Sequence, residues 1–333
     1  MLDLNQIPVM KRPAILFLLL TGCLLPGSAL TAATSKAPAP ASVFNFVLNS
    51  DRRELAIDYQ GLPLLVYAFA TNQFKPYVRE LHALNGVNVL RDAPPDHLHH
   101  HGLMYAIKVN GTNFWEETKA GGYQRPGWEL LRKVGRDRSG RPTAELSHTI
   151  HWVTPDNAGL LNPAPAALLV EKRAIRVTID ESAGEVALEW RGDFTVGPAS
   201  PKVTLGGTAY HGLGLRLPQD FDKVALHQNS EGLPYTAEQK GDVTPAKWAC
   251  VSGTVGGRGL MVALFSHPSD KGDPKFFSMI DAFAYLSATQ GLDTTPIEYS
   301  AGEQFSLRYL LTIYPVKKSK EFLAQRYSRW CAE

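Results

Sequence analysis

Short runs of alternating apolar and polar residues, bounded by Gly, Pro, Asn or Asp, recur along this chain and constrain its fold more than any other feature. Successive side chains of a β-strand point to opposite faces, so such runs predict strands with one buried face. The runs that fit are "FNFVLN", "ELAIDYQ", "LLVYAFA", "GLMYAIKVN", "ALLVEKRAIRVTID", "EVALEWRGDF", "GLMVALFS" and "FSLRYLLTIYP". Asn110-Gly111 predicts a two-residue hairpin turn, because both residues tolerate positive φ.

Helical periodicity is convincing only in "KKSKEFLAQRYSRW", where Phe322, Leu323, Tyr327 and Trp330 share a face. No repeat of fixed period and no Pro- or Gly-rich linker divides the chain after residue 42. The sequence therefore predicts an all-β fold: a large antiparallel β-sandwich with one C-terminal helix, as a single domain over residues 42–333.

The N-terminus has the order of an export signal, with positive charge at Lys11 and Arg12, an apolar segment, and then small residues. Residues 1–33 are predicted to be a signal peptide and residues 34–41 a linker, so the mature protein is expected in the periplasm or at the outer membrane. Two cleavage sites stay open. "LTGC" resembles a lipobox in which Cys23 is lipidated, whereas "SALTA" suits ordinary cleavage after Ala32 or Ala33. Lipid on Cys23 is the one membrane attachment we expect.

Charge and cysteine content exclude some partners. The formal net charge is +2 and no basic stripe is present, which argues against a nucleic-acid partner. No CxxC-type metal site exists. Beyond Cys23 only Cys250 and Cys331 remain. They either pair in an oxidising compartment or stay as free thiols, and their spacing does not decide between the two.

The block "DHLHHHG", residues 96–102, holds four of the ten histidines: His97, His99, His100 and His101. The preceding Pro94-Pro95 stiffens the backbone, so we expect an extended entry into the next strand with His97, His99 and His101 on one face. Asp96 is placed to orient one ring through its second nitrogen. The alternative is a solvated loop, or one buried hydrogen-bonded histidine with bystanders.

A divalent metal is a second open question. No HExxH spacing is present, so any third ligand must come from a distant segment. His267 ends the run "GLMVALFS" just before Pro268, at the rim of a sheet. The candidate metal ligands are therefore His97, His99 and His267, and without a metal the same imidazoles suit proton transfer.

Two other features carry candidate ligand-binding groups. In "GGTAYHGLGLR", glycines beside Tyr210 and His211 leave room for a ligand, and Arg216 is suited to clamp a carboxylate or hydroxyls. Taken alone, this segment is better explained as a glycine-rich strand with a buried Tyr. Trp248 and Trp115 are candidates for stacking on a sugar face, although Trp is more often a core residue.

Together with "KWACVSG", "HPSDKGDP" and the closing "AGEQFSLRYLLTIYP", these motifs resemble the bacterial family labelled methane oxygenase PmoA-like, over roughly Ser42 to Pro315. Its members often read DHxHHRG and HPxN, so His101 stands where Arg is usual and Asp270 where Asn is usual. The resemblance implies an exported, β-rich protein of bacteria that degrade complex carbohydrate, with a layout like the galactose mutarotase-like supersandwich. A particulate methane oxygenase subunit is a membrane protein, whereas the mature chain has no transmembrane run, so we treat the label as a misnomer.

The predicted function is that of a carbohydrate-active enzyme of epimerase, lyase or unusual hydrolase type, because neutral imidazole moves protons near neutral pH and Arg holds a ring substituent. No carboxylate pair with motif support indicates two-acid glycoside hydrolysis. The candidate catalytic residues are His97, His99, His100, His211 and His267, which we expect to line one polar pocket together with Arg216, and the candidate substrate-binding residues are Asp96, Tyr210, Arg216 and Trp248. The expected partner is a carbohydrate or another small molecule. The alternative is a non-catalytic sugar-binding or envelope protein.

Overall fold

The computed structural model describes residues 42–232, 241–279 and 281–333. The predicted signal peptide, the linker and Cys23 lie outside the described residues. Residues Ser42–Glu333 form one compact unit. Among the described residues, no helix is both long and apolar enough to cross a bilayer.

Two large sheets of antiparallel strand pairs make up most of the described fold, as the alternating runs predict. The first has nine strands in the order β1 (Phe44–Asn49), β2 (Glu54–Tyr59), β3 (Leu62–Ala68), β4 (Tyr77–Leu81), β5 (Leu103–Ala106), β13 (Gly212–Arg216), β19 (Tyr285–Thr289), β18 (Lys275–Met279) and β15 (Gly241–Pro245). The second has eight, in the order β14 (Leu226–Asn229), β16 (Trp248–Val255), β17 (Arg258–Ser266), β21 (Gln304–Tyr314), β11 (Glu185–Val196), β10 (Leu169–Asp180), β9 (Pro142–Val153) and β8 (Tyr123–Arg136).

A small third sheet and a few helical segments complete the described part of the chain. The sheet has four strands in the order β20 (Ile297–Ser300), β12 (Lys202–Gly206), β6 (Lys108–Val109) and β7 (Thr112–Asn113). Single turns of 3₁₀-helix lie at Pro155–Asn157, Ala164–Ala166 and Gln219–Phe221. The C-terminal helix is α1 (Lys320–Cys331).

One predicted strand is divided between two sheets. The run "GLMYAIKVN" forms β5 up to Ala106 in the first sheet and resumes at Lys108 as β6 in the third. The predicted Asn110-Gly111 turn is confirmed, with φ of 50° and 79°, and it joins β6 to β7. This hairpin belongs to the third sheet and leads directly into the segment that contains Trp115.

The core lies between the two large sheets. Tyr105 of β5 contacts Trp152 of β9, with ring centroids 5.9 Å apart, and Tyr309 of β21 at 6.3 Å. The core also encloses an ion pair, since Arg173 donates to Glu171 at 2.7 Å and both side chains are fully buried. The other N–H groups of the Arg173 guanidinium also need acceptors, because a buried unpaired charge is costly.

The helix α1 packs on the side of the second sheet that faces away from the first. It begins after Ser319, whose hydroxyl accepts a hydrogen bond from the Phe322 backbone N–H at 3.2 Å, an N-cap that satisfies an otherwise unpaired donor. Leu323 and Trp330 of the helix are buried against β16 and β17. The predicted amphipathic C-terminal helix is therefore confirmed.

Candidate functional site

Strand pairing in the first sheet leaves one of its faces turned away from the second sheet. On β13, Leu213 lies opposite Tyr105, whose ring points into the core, so Gly214 and Arg216 point to the other face. Tyr285 of β19 pairs directly with Arg216 and shares this face. The residues gathered here are called the outer-face cluster: His97, His99, His100, Trp115, Tyr210, His211, Arg216, Phe283 and Tyr285.

The histidine loop between β4 and β5 folds into turns, whereas the sequence predicts an extended backbone there. The His97 N–H donates to the Pro94 carbonyl at 2.9 Å, and the His100 N–H donates to the His97 carbonyl at 2.9 Å. Pro95 takes the second position of the first turn, where its fixed φ is favourable. The prediction that His97, His99 and His101 share one face is therefore wrong.

The turns pack three imidazole rings together instead. Ring centroids are 4.5 Å apart for His97 and His100 and 4.6 Å apart for His99 and His100. His100 is buried, whereas His97 and His99 are partly exposed. The side chain of Asp96 lies 3.0 Å from His97 Nδ1, so it orients the His97 ring. Because of this hydrogen bond, the pKa of Asp96 is lowered.

Trp115 joins the histidine loop to the "GGTAYHGLGLR" segment. Its ring stacks on His211 with centroids 5.2 Å apart and meets His100 edge-on at 6.4 Å. Tyr210 also contacts Trp115 edge-on, at 5.6 Å. The structure therefore brings two distant predicted segments together on the outer face, while any catalytic role for their residues stays a prediction.

Arg216 forms the base of the cluster. Only 1% of its side chain is exposed, and its guanidinium carbon lies 3.5 Å from the centroid of the Phe283 ring. The nearest ion-pair contact, Nη2 to Asp96 Oδ2, spans 3.7 Å, too long for a hydrogen bond. Burial lowers the pKa of Arg216 to about 10, so the group is still a cation at neutral pH.

Six buried polar atoms of the cluster have no hydrogen-bond partner among the described residues: His100 Nδ1, Trp115 Nε1, His211 Nδ1 and Nε2, and Arg216 Nε and Nη1. Buried polar groups are nearly always hydrogen-bonded, and each unpaired one costs about 1–3 kcal/mol. Other unpaired atoms are scattered through the core, but these six belong to four neighbouring side chains. Such a concentration is typical of a surface that a polar ligand completes.

Burial lowers the pKa of three histidines of the cluster, His99, His100 and His211. Burial lowers the pKa of His100 to about 3, and the charges of His99 and His97 add to this effect. Burial likewise lowers the pKa of His211 to about 3 and that of His99 below its usual value. A ring with a pKa near 3 is a weak base at neutral pH. His100 and His211 are therefore suited to hydrogen bonding, and the more exposed His99 is better suited to accept a proton.

A chain of buried and half-buried charged groups beside the cluster was missed by the sequence reasoning. His101 lies with Nδ1 2.9 Å from Asp92 Oδ1 and with Nε2 2.9 Å from Glu117 Oε1. The same Glu117 oxygen accepts a hydrogen bond from Lys75 Nζ at 2.7 Å, and Lys75 also donates to the Trp115 carbonyl at 3.0 Å. The four charged side chains, Asp92, His101, Glu117 and Lys75, are called the charge chain below.

Both neighbours of the His101 ring accept hydrogen bonds, so the ring donates from both nitrogens as an imidazolium. Burial works against this charge, but the hydrogen bonds to Asp92 and Glu117 prevail and raise the pKa of His101. A protonated His101 thus supplies a cation between two carboxylates. His101 belongs to the "DHLHHHG" block, but no sequence pattern marked Glu117 or Lys75.

His267 does not join the outer-face cluster. It follows β17 of the second sheet, where its Nδ1 lies 2.6 Å from Ser269 Oγ and its ring meets Trp330 of α1 at 5.0 Å. The expectation of one pocket that includes His267 is corrected accordingly. Among the described residues, no group of three or more His, Cys, Asp or Glu is arranged to hold a metal ion. A metal bound by His97, His99 and His267 together is therefore excluded by the placement of His267.

Trp248 and Cys250 lie under the helix α1, and Cys331 is the last residue of that helix. Trp248 is 2% exposed and packs with Phe265 and Met261 in the core beneath α1, so the predicted sugar contact at Trp248 is corrected. Its position on β16 points its side chain to the helix side of the second sheet. Cys250 and Cys331 belong to the same core and both are free, so they form no disulfide in this structure.

A separate charged hollow of about 360 Å³ lies beside β8 and β9 and contains none of the predicted site residues. Its lining pairs arginines with acids, for example Arg176 with Glu145 at 2.6 Å and Arg308 with Glu189 at 2.8 Å. These contacts already satisfy much of its charge. The unpaired polar atoms of the outer-face cluster mark that face as the stronger candidate.

A comparison with protein families identifies the chain. The profile described as "Family of unknown function (DUF6807)" matches residues 54–328, so the protein belongs to this family. The description names no activity and does not carry the PmoA-like label. No curated protein matches the chain.

Solved structures give distant similarities. The galactosidase domain of alpha-galactosidase-sucrose kinase AgaSK superposes with a TM-score of 0.47 at 11% identity, over 81% of this chain and 42% of that chain. The GH36 alpha-galactosidase AgaB from Geobacillus stearothermophilus gives 0.47 at 10% identity, over 82% and 41%. A Glycoside Hydrolase Family 97 enzyme from Pseudoalteromonas sp. strain K8, in complex with panose, gives 0.35 at 7% identity, over 82% and 34%. This chain spans less than half of each, and at these TM-scores the similarities carry no argument about function.

Proposed function

We propose that the outer-face cluster is the ligand site of a carbohydrate-active enzyme in which a histidine transfers a proton. The observation that carries the proposal is the set of six unpaired buried polar atoms on four adjacent side chains. Leaving them unpaired opposes folding, so the arrangement is best explained by a ligand that supplies their partners.

The mixture of groups suits a sugar. Partly exposed aromatic rings of Tyr210 and Phe277 offer apolar faces for the C–H side of a pyranose ring. Neutral imidazoles, an indole N–H and a guanidinium offer donors and acceptors for hydroxyl groups. Ligand sites commonly combine apolar walls with a few convergent polar groups in this way.

His99 is our candidate for the base. It is partly exposed, its lowered pKa keeps it neutral, and its ring packs against His100. His97, which is oriented by Asp96, is the candidate partner that returns a proton. His100 and His211 are assigned to hydrogen bonding with the ligand rather than to proton transfer.

The test is to measure binding and turnover of a panel of neutral and acidic oligosaccharides with the wild type, His99→Ala and His267→Ala. Removal of a general base typically lowers the rate by about 10²–10⁴-fold. We expect that loss for His99→Ala with nearly unchanged thermal stability, because the His99 ring is partly exposed. His267→Ala is the matched control and should retain both activities, because His267 lies on the other sheet.

Three outcomes of this test distinguish between the possible functions. Full turnover in His99→Ala rejects His99 as the base. Sugar binding by the wild type with no turnover of any saccharide supports the alternative of a non-catalytic sugar-binding protein. If no saccharide binds, the carbohydrate proposal itself is rejected.

Export and possible lipidation are also part of the proposal. The order of charged, apolar and small residues before residue 34 supports a mature N-terminus between Cys23 and Thr34. Mass spectrometry of protein from the envelope fraction tests this, and a diacylglyceryl mass on Cys23 identifies the lipoprotein form. A mature species that retains Met1 or Met10 contradicts it. Membership of the group labelled PmoA-like rests on the DHLHHHG and HPSD motifs, and oxygenase activity forms no part of our proposal.

A further inference from the structure

We infer that the ligand of the outer-face cluster carries a carboxylate, as a uronic acid does, and that Arg216 binds this carboxylate. The inference rests on the proposed function and names the class of sugar. Its basis is the condition of Arg216, a buried cation for which the described residues supply no hydrogen-bonded anion.

No nearby carboxylate of the described residues forms a hydrogen bond with Arg216; Asp222 and Asp96 act on it only through their charge. Asp222 lies 3.5 Å from Arg91 and accepts a hydrogen bond from the Ala284 N–H at 2.7 Å. Asp96 approaches Nη2 only to 3.7 Å and is already hydrogen-bonded to His97. Arg216 Nε and Nη1 have no partner among the described residues.

Another buried arginine of this chain does have a hydrogen-bonded carboxylate. Arg173, which is also fully buried, donates to both oxygens of Glu171 at 2.7 and 2.8 Å and to the Pro76 carbonyl at 2.8 Å. A buried charge without a partner is strongly destabilising, and pairing such as that of Arg173 is the usual remedy. The missing anion at Arg216 is therefore a specific property of the outer-face cluster.

A carboxylate fits this position better than a sugar hydroxyl. A hydroxyl can accept a hydrogen bond but brings no negative charge, whereas a carboxylate balances the cation and matches the planar guanidinium fork. Phe283 lies against the guanidinium, with its ring centroid 3.5 Å from the guanidinium carbon. The half-exposed carboxylate of Asp96 already lies 3.7 Å from Nη2.

A carboxylate on Arg216 also gives His99 a suitable proton. Neutralising a uronate carboxylate acidifies the hydrogen on the adjacent ring carbon, and His99, the proposed base, removes it. The C–H electron pair then forms a double bond to the next ring carbon, and the glycosidic oxygen on that carbon leaves with its bonding pair and takes a proton from the His97–Asp96 pair. The products are an unsaturated uronate and the free hydroxyl of the leaving sugar, with no oxidant or further reactant.

The experiment uses oligosaccharides of galacturonic, glucuronic and mannuronic acid and, as matched ligands, their methyl esters, which keep the linkage but lose the charge. Calorimetry measures binding to the wild type, Arg216→Gln and Asp96→Asn. We expect at least one free acid to bind at least tenfold more tightly than its ester, and Arg216→Gln to abolish that preference. Asp96→Asn should strengthen binding of the acid, because it removes a competing carboxylate from an exposed position. This variant keeps the test valid if Arg216→Gln does not fold.

Any other binding result rejects a specific part of the inference. Equal binding of acids and esters rejects the carboxylate inference but leaves the proposed function standing, whereas failure to bind any saccharide rejects both. An acid preference that survives in folded Arg216→Gln moves the carboxylate to another group. Ultraviolet absorbance of an unsaturated uronate, lost in His99→Ala, supports the elimination step, and tight binding of acids without that product rejects it.

Discussion

Replacing Glu117 by Gln should destabilise the protein substantially, because Glu117 is the central anion of the charge chain. It accepts hydrogen bonds from His101 at 2.9 Å and from Lys75 at 2.7 Å through the same oxygen. Lys75 is fully buried, and burial lowers its pKa. Gln in place of Glu117 leaves this ammonium group without a counter-ion and removes one of the two carboxylates that hold the His101 charge.

The magnitude follows from the pKa of Glu117. Burial alone would raise it, but the His101 hydrogen bond and the Lys75 charge prevail and lower it from 4.5 to about 2. At about 1.4 kcal/mol for each pKa unit, this corresponds to roughly 3 kcal/mol of stabilisation at neutral pH. Deleting one partner of a buried ion pair typically costs about 3–5 kcal/mol, which agrees in size.

The pH dependence has a definite sign. The folded pKa of Glu117 lies below the unfolded one, so its contribution is complete above the unfolded value of 4.5 and is lost as the pH falls toward about 2. For His101 the folded pKa is raised, so its contribution is complete below 6.5 and is lost as the pH rises through the folded pKa. The stability difference between wild type and Glu117→Gln should therefore shrink in acid, to less than half by about pH 3.

Urea denaturation followed by tryptophan fluorescence measures these differences at neutral and acidic pH. Glu116→Gln is the matched control, since it removes the same charge from an exposed neighbouring side chain. If Glu117→Gln is as stable as Glu116→Gln at neutral pH, the charge chain contributes nothing measurable and the reasoning fails. Adding Lys75→Met to Glu117→Gln should restore part of the loss, because the unpaired ammonium group is then gone.

Three further predictions follow from the site and the core. Gly214→Ala should disrupt the outer-face cluster, because the new Cβ would lie 2.0 Å from Tyr285 Oη and 2.8 Å from Trp115. Gly206→Ala is the control, because its Cβ meets nothing within 4 Å. Unchanged ligand binding and stability in Gly214→Ala would contradict this packing. The acid limb of the pH–rate profile should lie below 6.5, because burial lowers the pKa of His99; an acid limb above that value would exclude His99 as the base. An alkylating reagent should modify Cys331 in the native protein but Cys250 only after unfolding, because Cys250 is 2% exposed and burial raises its pKa to about 12. A mass that shows Cys250 linked to Cys331 by a disulfide would refute the free thiols.

The predicted outer-face segments show how far local motifs reach. The sequence marks "DHLHHHG" and "GGTAYHGLGLR" as candidate site segments, because each concentrates polar rings or glycines at a strand end. Their meeting through Trp115 depends on the pairing of β5 with β13, which are separated by more than one hundred residues. His267 looked equivalent in sequence, yet its strand belongs to the other sheet.

The sequence by itself determined the eight alternating strand runs, the Asn110-Gly111 turn and the C-terminal helix, because their signals are local: alternation of polarity, tolerance of positive φ, and helical spacing of apolar residues. Only the tertiary structure decided which face each strand presents and which residues meet there. A shift of one residue exchanges the two faces of a strand, so Trp248 became a core residue and Arg216 a site residue. The charge chain shows the same limit, since Lys75, His101 and Glu117 come from separate segments and meet only in the folded chain.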